Sequence, residues 1–115
     1  MPKITIFCTI VGRNSVFSVD IRTSRTVGDL KDEIKEKKAI TLVNYEADAL
    51  TLYRGAIEET PNKEERDERL SRLSQILNQC TFLDAEDLLS KHFGDGPPEG
   101  LKYYVIVVIP EGESI

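Results

Sequence analysis

Residues 6–38 read IFCTIVGRNSVFSVDIRTSRTVGDLKDEIKEKK, and a change of period inside this stretch decides the fold. From Lys3 to Val11, Ile4, Ile6, Cys8 and Ile10 alternate with Thr5, Phe7, Thr9 and Val11. Period two predicts a strand with one buried face. Gly12-Arg13-Asn14-Ser15 is a turn cluster, after which Val16–Ile21 alternates again with Phe17, Val19 and Ile21 in phase. Two alternating runs joined by turn residues predict a β-hairpin. Then Thr26 and Asp29 form a capping-box pair, and Val27, Leu30 and Ile34 follow at helical spacing. Acids occupy the first turns and Lys35, Lys37 and Lys38 the last, as the helix dipole favours. The chain therefore opens ββα.

Working outward, residues 39–49 are irregular and Leu50–Arg54 reads as a short third strand ending at Gly55. Thr60 and Pro61 predict a helix start, with Thr60 as cap. Its apolar stripe, Leu70, Leu73, Ile76, Leu77 and Cys80, lies only in the second half. The charged stretch Lys63–Arg69 is expected to project into solvent. Leu83–Leu89 predicts a short helix capped by Asp84 and ended by Gly94, with Gly94–Gly100 as a turn. Tyr103–Ile109 is the last strand, stopped by Pro110, and its unbroken apolar run suits a central position. Placed parallel beside the first strand, it completes an α+β fold: a ubiquitin-like β-grasp with a mixed sheet and an inserted charged helix. One domain, residues 1–110, is expected, with residues 111–115 as a tail.

Composition narrows the function. The chain has 115 residues, 40% hydrophobic and 30% charged, with formal net charge −5. An acidic balance argues against nucleic-acid binding, and no apolar run approaches the ~18–20 residues of a membrane span. The charge is uneven: residues 1–54 hold nine Lys/Arg against seven Asp/Glu, residues 55–115 six against thirteen. Cys8 and Cys80 sit at apolar-periodic positions without CxxC spacing, and with His92 they do not make a metal set. Glu58/Glu59 and Glu64/Glu65 are adjacent acids on polar faces, and no Ser or Cys stands in a nucleophile-elbow context. The Gly94–Gly100 loop offers Asp95, Glu99 and two prolines where a phosphate cradle needs N–H donors. The Met1–Cys8 start has no long apolar leader region, and the Glu111–Ile115 end has no Gly-Gly. Catalysis, a cofactor and ubiquitin-type conjugation are not expected.

Six segments together resemble the N-terminal domain of Crinkler effectors. Val11-Gly12, Phe17-Ser18-Val19-Asp20-Ile21 and Thr26-Val27-Gly28-Asp29-Leu30-Lys31 match its opening strands and helix. Ala49-Leu50-Thr51-Leu52-Tyr53 looks like the start of its LxLFLAK motif, although Arg54-Gly55-Ala56 stands where that motif has Leu-Ala-Lys. Leu83–Leu89 and Tyr104–Pro110 resemble its Leu-Asp-Pro helix and closing strand. The resemblance implies a ubiquitin-like domain of secreted effectors of oomycetes and some fungi. It further implies delivery into host cells, where variable C-terminal domains act, often in the nucleus. By the same resemblance Leu50, Thr51, Leu52, Tyr53, Arg54, Gly55 and Ala56 are the candidate translocation segment. Either the chain is a delivery domain of a longer effector, or it is a short protein without such a cargo domain.

The remaining candidate is surface. Phe7 and Val11 lie on the outward face of the first strand, and Tyr53 on the outward side of the third. These are the expected contacts for a protein partner in the host cell. The strands Val16–Ile21 and Leu50–Arg54, read as sheet edges, offer a route to homodimers. The alternative reading is an endogenous ubiquitin-like adaptor acting inside the producing cell.

Overall fold

The ladder between the first two strands sets the frame for everything else. The computed structural model describes residues 3–12, 16–59, 62–94, 96–97 and 99–110. Strands β1 (Lys3–Ile10) and β2 (Val16–Arg22) pair antiparallel, with Ile6 opposite Val19 and Cys8 opposite Phe17. That register puts the apolar residues of both alternations on one face. Gly12, at φ +88°, holds a left-handed conformation that side chains resist, while residues 13–15 of the expected turn lie outside the described residues.

Helix α1 (Val27–Lys37) covers the apolar face with Val27, Leu30 and Ile34, all fully buried. Its capping box is present: the Asp29 N–H donates to Thr26 Oγ1 at 3.2 Å, and the Thr26 N–H donates to the Asp29 carboxylate at 3.0 Å. Strand β5 (Leu101–Val108) sits at the centre of a five-stranded sheet ordered β2-β1-β5-β3-β4. It runs parallel to β1, with Cys8 beside Val105, and antiparallel to β3 (Thr51–Glu58). A strand paired on both sides and covered on both faces must be apolar throughout, and Tyr104–Val107 are all buried. The mixed sheet, the central last strand and three helices fit the expected α+β ubiquitin-like β-grasp.

Three local expectations are corrected. The third strand does not end at Gly55 but runs on to Glu58. Gly55 lies inside it because helix α2 (Lys63–Ser74) crosses there: an added Cβ would fall 2.3 Å from Leu73 Cδ2. The expected cap Thr60 and first residue Pro61 lie outside the described residues; the observed cap is Asn62, whose Oδ1 accepts the Glu65 N–H at 2.8 Å.

The second correction concerns the charged helix. Leu70 joins Ile57 and Tyr104 in a buried cluster on the sheet face opposite α1, with Phe7, Val16 and Leu73 packed around it. The stripe stops there, since Ile76 is 38% exposed, Leu77–Gln79 form one 3-10 turn and Cys80 leads into β4 (Thr81–Leu83). Nor does the charged half project freely. Arg66 and Asp67 are half-buried and ion-paired at 3.2 Å, and Arg69 reaches Glu58 Oε2 at 3.4 Å. Long cationic stems cover apolar surface while keeping their heads in water.

The third correction is at residues 83–89, read as a helix capped by Asp84. Leu83 instead belongs to β4, opposite Leu52. Asp84 Oδ1 accepts the Glu86 N–H at 3.0 Å, closing a turn, and helix α3 spans only Leu89–Phe93. Such a local side-chain bond competes with helix formation. The turn then caps α1: the Ala85 and Asp87 carbonyls accept the Gly28 and Val27 N–H groups at 2.9 Å each. Because β4 covers β3 at Leu52–Arg54, the third strand is not a free edge there.

Candidate functional site

Within Leu50–Ala56 the pleat divides the side chains between two faces. Leu50 and Leu52 point into the α1 core, with 1% and 0% exposure, while Ala56 is exposed. Arg54 is also turned to the core side. Its Nη1 donates to the His92 carbonyl at 2.5 Å, Nη2 donates to Thr81 Oγ1 at 3.3 Å, and the guanidinium lies 4.5 Å from the Tyr103 ring centroid. One side chain thus ties β3 to β4, α3 and β5. Thr51 and Tyr53 are half-buried on the other face, where Tyr53 meets Phe82 edge-to-face at 5.8 Å.

Phe7 shares that second face but not that neighbourhood. Its ring lies 6.2 Å from Tyr104, under the α2 cluster, with Lys102 Nζ 3.8 Å above it. Val11, half-buried, donates its N–H to the Val107 carbonyl at 3.0 Å just beyond β1. The face expected to stand open is therefore partly covered by Leu70 and Leu73, and the central strand β5 separates Phe7 from Tyr53. The reading from sequence missed Phe82, 56% exposed beside Tyr53. A three-residue strand with one buried side chain carries no period that marks it.

The titratable groups that do meet hold turns together. His92 Nε2 lies 2.9 Å from Asp87 Oδ2, and this bond, followed by Lys91, keeps the Asp87 carboxyl below its usual range. The Asp29 carboxyl is lowered first by the Thr26 N–H and then by Arg25. Burial raises the Cys8 and Cys80 thiols, both free, and the Tyr104 hydroxyl. Among the described residues no three His, Cys, Asp or Glu side chains converge as a metal set, and no helix is long and apolar enough to cross a membrane.

Residues 4–109 match the model of the Crinkler effector protein N-terminal domain, a span that contains all but the first residue of β1 and every later element. The chain belongs to the Crinkler N-terminal domain family. It is 30% identical to Crinkler effector protein 8 of Phytophthora infestans over 96% of its own length, which is 20% of that protein. It is also 45% identical to Crinkler effector protein 108 of Phytophthora sojae over 44% of the chain and 6% of that protein. The chain thus spans about a fifth or less of the curated Crinkler relatives it matches.

Proposed function

We propose that this Crinkler domain is a non-catalytic protein-binding module of a secreted effector, carried into a host cell and acting there by surface contact. The observation that carries the reading is the continuous family match from residue 4 to residue 109. The geometry supports it in a second way, because Asp87–His92 and Arg25–Asp29 are engaged in the turns that cap α1. In this reading Val11, Tyr53 and Phe82 are contact residues on the second face. The Leu50–Ala56 segment contributes to delivery through the folded surface it supports. The host nucleus is one destination, and self-association accompanies partner binding.

The test is the location of an epitope-tagged copy in the producing organism during host contact. Accumulation in host cells is the expected result. Retention in the producer's cytosol overturns the effector reading in favour of an endogenous adaptor. Light scattering tests self-association, where a mass of 13.0 kDa at every concentration argues for a monomer.

A further inference from the structure

Helices α1 and α2 are held to the sheet by different means. α1 buries Val27, Leu30 and Ile34 completely, and its first amides donate to the Ala85 and Asp87 carbonyls of another segment. α2 buries Leu70, with Leu73 half-buried beside it, and is capped by its own neighbour Asn62. Its ion pairs are mostly internal: Lys63–Asp67 at 2.8 Å, Arg66–Asp67 at 3.2 Å and Arg72–Glu68 at 2.5 Å. They steady the helix without fastening it to the body. The pair that crosses to β3, Arg69–Glu58 at 3.4 Å, uses a Glu58 side chain that is 74% exposed, and such pairs contribute little.

α2 has twelve residues, and isolated helices of that length are marginal in water. Its helical form therefore depends on docking, so that leaving the sheet and melting are one event. The body does not depend on α2 in return. Seventeen buried residues among those described form the core under α1, and none of them comes from α2. The ladders of β5 with β1 and β3, and of β4 with β3, run without it. The hinge on its C-terminal side falls between Ser74 and Thr81.

What α2 hides is the middle of an aromatic face. Phe7 on β1 is beside Tyr104 on β5; Ile106, next on that face of β5, is opposite Tyr53, and Tyr53 is opposite Phe82. Ile57 and Tyr104 are 8% and 4% exposed in the cluster with Leu70. We propose that α2 is a strap that opens by melting on its own while the sheet and α1 stay folded. Opening uncovers Ile57, Tyr104 and Phe7 as one surface with Tyr53 and Phe82. Large apolar faces are seldom left open in monomers, and the closed strap masks this one. The device belongs to the free chain and stands or falls separately from the protein-binding reading.

The experiment is native-state amide hydrogen exchange of the whole chain, followed by two-dimensional NMR at urea concentrations below the unfolding transition. After correction for intrinsic rates, α2 amides are expected to exchange at least about a hundredfold faster than those of Tyr104–Val107, with a weaker urea dependence. Ser71 is exposed, so Ser71→Gly against Ser71→Ala alters helix propensity alone and should speed α2 exchange by a few-fold, up to about fivefold. Leu70→Ala removes the buried anchor and should speed it by about thirtyfold or more. Ile34→Val, on the α1 side, should speed β5 exchange about fivefold and leave α2 exchange within about twofold. A shared rate and urea slope for α2 and β5, or an equal effect of Ile34→Val on both, means that α2 unfolds only with the body and overturns the inference. α2 exchange unmoved by Leu70→Ala means that the helix frays while docked, which overturns it as well.

Discussion

The contact of α2 with the sheet at Gly55 is testable by a pair of substitutions. In Gly55→Ala the new methyl group would lie 2.3 Å from Leu73 Cδ2, 3.1 Å from Leu73 Cγ and 3.4 Å from Cys80 Sγ. Ordinary contact needs Leu73 to withdraw by about 1 Å or change rotamer, and overpacking of this kind costs ~1–3 kcal/mol. Alanine in a strand recovers ~0.5–1 kcal/mol over glycine, so the net loss is about 1–2 kcal/mol. Leu73→Ala alone removes a half-buried side chain, below the ~2–5 kcal/mol of a fully buried leucine, so about 1–2 kcal/mol is expected. With Leu73 truncated the clash vanishes, and Gly55→Ala becomes neutral or slightly stabilising. The double variant is then less destabilised than the sum of the single variants by about 1–2 kcal/mol. Urea unfolding followed by circular dichroism measures all four corners of the cycle. Additivity within ~0.5 kcal/mol, or a Gly55→Ala variant more stable than the parent, would show that α2 does not rest on Gly55.

Thr26→Ala removes half of the capping box and is expected to lose about 1 kcal/mol by denaturant unfolding, with Thr26→Asp close to the parent. Arg54→Met leaves the His92 carbonyl and the Thr81 hydroxyl without their donor, a loss of ~1–3 kcal/mol accompanied by faster amide exchange in β4. The Asp29 and Asp87 carboxyls are held below their usual range, so their stabilisation is fully present above the unfolded pKa of ~3.9 and is lost as pH falls through the folded values. The melting temperature should therefore drop below about pH 4, and less steeply in Asp87→Asn; an equal slope in that variant would contradict the assignment. A thiol-reactive dye should label half-buried Cys80 in the native protein and buried Cys8 only as fast as the chain unfolds, as mass spectrometry of the labelled peptides would report.

The parts of the fold that could be read ahead were those in which the sequence repeats a local signal. Five or more alternating residues define β1 and β2, one hydroxyl and one carboxylate three residues apart define the start of α1, and an unbroken apolar run defines β5. Other signals are ambiguous until tertiary contacts are known. A glycine after Leu52-Tyr53-Arg54 reads as a strand stop or as a place where a helix comes close, and only the position of Leu73 decides. Likewise, two leucines in the twelve residues of α2 give its start and direction but not the face it covers. Residues 84–88 resemble a helix start because Asp84 is a good cap, yet the same carboxylate closes a turn whose carbonyls hold the first amides of α1.

The candidate segment shows why motif and fold are hard to separate in this chain. Leu50 and Leu52 are core residues, so their presence follows from packing whether or not anything recognises them. The departure from the resembled motif at Arg54-Gly55-Ala56 has a physical counterpart elsewhere in the chain. A leucine at position 54 would leave the His92 carbonyl and Thr81 hydroxyl without Arg54, and an alanine at position 55 would meet Leu73. The substituted positions are thus matched to β4, α3 and α2, which are this chain's own partners for β3. What remains accessible beside them is the aromatic pair of Tyr53 and Phe82, on the side of β3 turned away from the α1 core.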